Sequence, residues 1–131
     1  MSGVAQVFGL GRIGQIAVNA HDLARAVRFY RDTLGMRFLF EVPRMAFFDC
    51  GGVRLLIGLP DRPEIDHPAS IIYYLVPNIR AAHETLKQRG VPFITEPHLV
   101  ARLPDHQLWL ADFRDSENNI LALMSEVRGA A

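Results

Sequence analysis

The sequence predicts an α+β domain built from two βαβββ modules. Three observations carry this. Short β-prone runs outnumber helical stretches. Each of the two helical stretches is bounded by a capping residue and a glycine. The order strand, helix and three strands occurs twice, with Asn78 following Asp22 by 56 positions.

Residues 15–20 (QIAVNA) are short, apolar and β-prone. Asp22 is the predicted N-cap of a helix on which Leu23, Val27, Tyr30 and Leu34 form one apolar stripe, and Gly35 ends it. Three strand-like runs follow at residues 37–42, 45–50 and 53–59. Pro43-Arg44 and Gly51-Gly52 punctuate them as turns. A polar stretch with prolines, residues 60–69, reads as a linker. The order then restarts with a strand at residues 70–76. Asn78 caps a helix striped by Ile79, Ala82 and Leu86, and Gly90 ends it. Further strands are predicted at residues 97–103, 107–114 and 119–126, with the turn DSENN joining the last two. The modules, about 13–60 and 70–127, are each too small to bury a sheet alone, so they are expected to pack as one domain.

Composition narrows the function. The chain has 131 residues, of which 50% are hydrophobic and 21% charged, as in a folded globular domain. Fourteen Lys+Arg balance fourteen Asp+Glu, which argues against nucleic acid or a polybasic membrane anchor as partner. No apolar run approaches the roughly 18 residues of a membrane span, and the first residues lack the pattern of a signal peptide. A cytoplasmic location is the expectation. Cys50 is the only cysteine, so there is no internal disulfide and no cysteine-based zinc site. A buried small hydrophobe is the default for it. Gly9, Gly11 and Gly14 fit G-x-G-x-x-G literally. That motif needs a helix after it, whereas a strand is predicted here.

The segments IGQIAVNAHDLARAVRFYRDTLGM (13–36), NIRAAHETLKQRG (78–90) and FRDSENNILALMSE (113–126) together resemble the vicinal-oxygen-chelate superfamily. That superfamily includes glyoxalase I, bleomycin resistance proteins and extradiol dioxygenases. The resemblance spans about residues 13–127. It implies paired βαβββ modules whose curved mixed sheets surround a cleft, a small-molecule ligand, and a homodimer.

The resemblance also places a divalent metal on four strand positions, which here are Gln15, Leu56, Ile71 and Ala122. Only Gln15 has a donor, and apolar side chains cannot coordinate a divalent ion. No cofactor is therefore expected, and a metal only at a non-standard site. Strand alternation sets Gln15, Ala17 and Asn19 on one face, with Arg54, Leu56, Ile71, Tyr73, Leu75, Ile120, Ala122 and Met124. Gln15, Asn19, Arg54, Tyr73 and Trp109 are the candidate ligand contacts.

The polar segment from Glu96 to Trp109 holds His98, His106 and Asp105. Two imidazoles that meet across a hairpin, with a carboxylate nearby, suit proton transfer or metal binding. His98, His106 and Glu96 are thus candidate catalytic residues. The alternative is a solvated hairpin with Trp109 anchored in the core. His21, His67 and His83 read as local or solvated, and Arg44 and Arg54 as possible anion holders. Phe38, Phe40, Phe47 and Phe48 read as sheet core. Two functions follow: a binding protein that has lost the superfamily's metal site, or an atypical lyase, isomerase or dioxygenase using a relocated site around His98 and His106.

Overall fold

The structure is a computed structural model and describes residues 8–129. Strand β1 (Gln15–Asn19) leads into helix α1 (Leu23–Arg28). The Asp22 side chain accepts the Arg25 N–H and so caps α1. A π-helical turn (Phe29–Thr33) continues it, and Gly35, at φ 72°, reverses the chain. Strands β2 (Arg37–Val42), β3 (Met45–Cys50) and β4 (Val53–Gly58) complete the first module. The linker carries a single 3₁₀ turn, Pro63–Ile65. The second module comprises β5 (Ile72–Leu75), α2 (Ile79–Gln88), β6 (His98–Arg102), β7 (Gln107–Arg114) and β8 (Ile120–Val127). Asn78 caps α2 through the Ala81 N–H. Gly14 is followed by a strand, so the glycine motif lacks the helix N-terminus it needs to hold a phosphate.

Each module forms a four-stranded mixed sheet, with orders β1-β4-β3-β2 and β5-β8-β7-β6. Strand β1 runs parallel to β4 and β5 parallel to β8, while the other pairs are antiparallel. The side-chain alternation of strands gives each sheet two unlike faces. Val18, Leu55, Ile57, Ala46 and Phe48 point to the helical side and are buried. Leu121, Leu123, Ala111 and Phe113 do the same in the second sheet. All nine belong to one apolar cluster that also takes in Ala26, Tyr30, Ile79 and Leu86, so both modules share a core. No helix among the described residues is long and apolar enough to cross a membrane.

A buried polar knot joins the modules. The carboxylate of Asp115, 5% exposed, accepts the Tyr30 hydroxyl at 2.6 Å from the first module. It also accepts the backbone N–H groups of Glu117 and Asn119, each at 2.8 Å, and the Asn119 amide at 2.9 Å. The same amide donates to the Asn19 carbonyl at 3.1 Å. Burial and the Asp115 charge push the Tyr30 phenol well above its ordinary range, so it stays a donor. Tyr30→Phe removes one of four donors to a buried charge. The expected cost is about 1–3 kcal/mol, read as a lower urea midpoint with an unchanged m-value.

Candidate functional site

The faces turned away from the helices carry most of the residues expected at a ligand site. In the first sheet Gln15 lies opposite Arg54, Ala17 opposite Leu56, and Leu56 opposite Phe47. In the second, Tyr73 lies opposite Ala122 and Leu75 opposite Met124. The alternation expected from the sequence therefore holds for Gln15, Arg54, Leu56, Tyr73 and Ala122. Tyr73 is 48% exposed and Leu75 66%, so the second sheet's face is open. Ile71 lies just before β5 and is exposed.

The first sheet's open face has a defined surface. Phe40 and Phe47, cross-strand neighbours, stack with centroids 4.5 Å apart and planes 24° from parallel. The Arg54 guanidinium sits 5.7 Å from the Phe47 centroid, within cation–π range. Phe40 is 41% exposed, so it presents its ring to solvent rather than filling sheet core as the sequence suggested. The other three phenylalanines of that group are buried or partly buried.

Beside this face, a cavity of about 340 Å³ opens at the seam between β1 and β5. Ala17, Asn19, Ile65, His67, Ser70 and Ile72 line it. Asn19 does not reach freely into it. Its amide donates to the carbonyls of Ile65 and of His67, the latter at 3.1 Å, and so straps the linker over β1. Arg44 holds the other end, donating to the Pro60 carbonyl at 3.1 Å.

The second hairpin departs from expectation. His98 faces Leu110 across the ladder, while His106 lies in the connection between β6 and β7. The two imidazoles occupy opposite ends of β6 and do not meet. His98 donates to the Glu96 carbonyl at 2.8 Å, so Glu96 engages it through backbone, not carboxylate. His106 donates to Asp105 at 2.8 Å, with Glu126 at 3.8 Å. Trp109 pairs with Leu99 and Ser125 on the helical side, under the Arg80 guanidinium at 5.3 Å. It therefore stands on the opposite face from Tyr73. A register irregularity between Leu99 and Ala101 shifts the ladder, which residue spacing alone does not reveal. His83, expected in solvent, is 8% exposed and packs edge-on against Phe93 at 4.4 Å. His21, read as local to the helix start, pairs instead with Asp66 of the linker at 2.8 Å. Cys50 is only partly buried.

The profile of the Glyoxalase/Bleomycin resistance protein/Dioxygenase superfamily matches residues 12–123. The chain belongs to this superfamily. Three solved members of the fold illustrate the likeness. A glyoxalase/bleomycin resistance protein/dioxygenase from Alicyclobacillus acidocaldarius is 22% identical over 88% of this chain and 91% of that one, with a TM-score of 0.70. A superfamily member from Sphaerobacter thermophilus is 23% identical, covering 89% and 98%, with a TM-score of 0.75. A lactoylglutathione lyase from Agrobacterium tumefaciens is 21% identical, covering 88% and 94%, with a TM-score of 0.70. At these identities the likeness is one of fold.

The donor set does not fit the metal that the superfamily resemblance implies. Gln15 offers one neutral amide oxygen. Leu56, Ile71 and Ala122 offer no oxygen or nitrogen at all. Among the described residues no three His, Cys, Asp or Glu side chains are grouped to replace them.

Sequence reasoning missed the role of Glu117, which it placed in a plain turn. Its carboxylate, 2% exposed, accepts the N–H groups of His21 and Asp22 at 2.9 and 3.1 Å and the Arg25 guanidinium at 2.8 Å. Burial would raise its pKa, but these donors outweigh that and hold it at about 2. A carboxylate depressed from 4.5 to about 2 stabilises the fold fully above the higher value. That stabilisation is lost as the pH falls through the interval. Acid titration of folding stability is expected to show this slope between pH 4.5 and 2. Glu117→Gln is expected to be less stable at pH 7 and to lack that part of the slope.

Proposed function

We propose that this superfamily member binds a small, planar, mostly apolar molecule on the open face of its first sheet, without the superfamily's divalent ion. The stacked Phe40–Phe47 pair with Arg54 beside it carries the reading. An exposed aromatic ring offers a stacking surface, and the guanidinium offers donors for one polar substituent. Gln15, directly opposite Arg54, adds an amide to the same rim. The seam cavity continues the apolar surface toward the linker. A relocated catalytic site at His98 and His106 has no comparable support, because the ladder separates them. A second copy of the chain is the partner we infer for the remaining apolar surface, where Val42, Ile71 and Leu75 are 37%, 45% and 66% exposed.

Calorimetric titration with 2-naphthol, a neutral planar probe, tests the reading. Saturable binding is expected, unchanged by EDTA. Phe40→Ala, at an exposed position, is expected to weaken it by about two- to tenfold, in line with the ~0.5–1.5 kcal/mol of an aromatic pair. Arg54→Gln is expected to weaken it severalfold. Binding that EDTA abolishes, or that Phe40→Ala leaves intact, contradicts the proposal.

A further inference from the structure

We propose a second binding site, on the helical side of the second sheet, for a small amphipathic carboxylate. A cavity of about 350 Å³ lies between the end of the first module's π-helical turn and α2. Leu34 and Met36 line it from the first module, and Ala82, Leu86, Phe113 and Leu123 from the second. Its volume lies at the lower end of the ~300–1,000 Å³ typical of small-ligand pockets. The open sheet faces contribute nothing to it, so the proposal does not rest on the reading above.

One charged residue lines this cavity, Arg89. Its guanidinium donates once, to the Thr33 carbonyl at 2.8 Å. It has no carboxylate partner among the described residues. The carbonyls at the end of α2 do not compete for it. Those of Thr85, Leu86 and Lys87 accept the backbone N–H groups of Arg89, Gly90 and Val91. The remaining guanidinium donors are thus free to take an anion at the rim of an apolar chamber. That combination selects a molecule with a compact apolar body and one terminal carboxylate. Arg89 also ties α2 to Thr33, so such a ligand would touch both modules and stabilise their packing.

The four methionines allow a test that separates the two sites. Met36 lines this cavity, whereas Met45 and Met124 lie on the open faces. In protein labelled with ¹³C at the methionine methyls, octanoate is expected to shift Met36 saturably and leave Met45 and Met124 in place. Octanol, of the same length but uncharged, is expected to bind at least tenfold more weakly. Arg89→Gln, at an exposed position, is expected to erase that difference. Ala82→Phe is expected to fill the chamber and abolish octanoate binding, while 2-naphthol binding persists. Shifts confined to Met45 or Met124, equal affinity for octanol and octanoate, or an unaltered preference in Arg89→Gln would overturn the proposal. Failure of 2-naphthol binding alone would not touch it.

Discussion

The Asp115 carboxylate is the interaction on which the rest of the structure depends. A charge taken from water is costly unless its lone pairs are satisfied. Here four donors converge on it, three from its own turn and one, the Tyr30 hydroxyl, from the other module. Fixing this turn places Glu117 beside the start of α1, where it receives two backbone N–H groups and Arg25. It also places Asn119 to hold the end of β1. Most of the polar contacts between the modules therefore gather on one turn, residues 115–119, with the Arg89–Thr33 bond standing apart, and the shared apolar core packs around them.

That constraint determines which surfaces are left for ligands. With the helical faces committed to the core, each sheet presents its other face outward. The first sheet's outward face bears an aromatic pair and an arginine, and the second bears Tyr73 and Leu75. Where the π-helical turn meets α2 the packing leaves a chamber, closed at its edge by the Arg89–Thr33 bond. Within a fold shared across the superfamily, this chain thus presents two chemically different surfaces, which are the two binding places we propose. One is flat and aromatic, the other concave and apolar with a single cation.

Much of this was legible in the sequence because it is local. Asp22 and Asn78 cap the helices as their side chains predict, and Gly35 and Gly90 take the positive φ that only glycine adopts cheaply. Period-two alternation placed Gln15, Arg54, Leu56 and Tyr73 on the correct faces. What was not legible depends on long-range partners or on register. Tyr30 and Asp115 are 85 residues apart in sequence, so nothing nearby marks either as half of a pair. His83 looked solvated beside Glu84 until Phe93 folded over it. His98 starts β6 and pairs with Leu110, whereas His106 lies in the connection beyond the far end of β6, and Trp109 lies on the opposite face from Tyr73.

The central functional claim is that this superfamily member works without a divalent ion at the superfamily's four positions, because Leu56, Ile71 and Ala122 cannot supply donors there. Calorimetric titration of chelator-treated protein with nickel, zinc, manganese and ferrous ions tests it most directly. The account predicts no saturable heat for any of the four. A one-to-one binding heat that Gln15→Ala abolishes would contradict it.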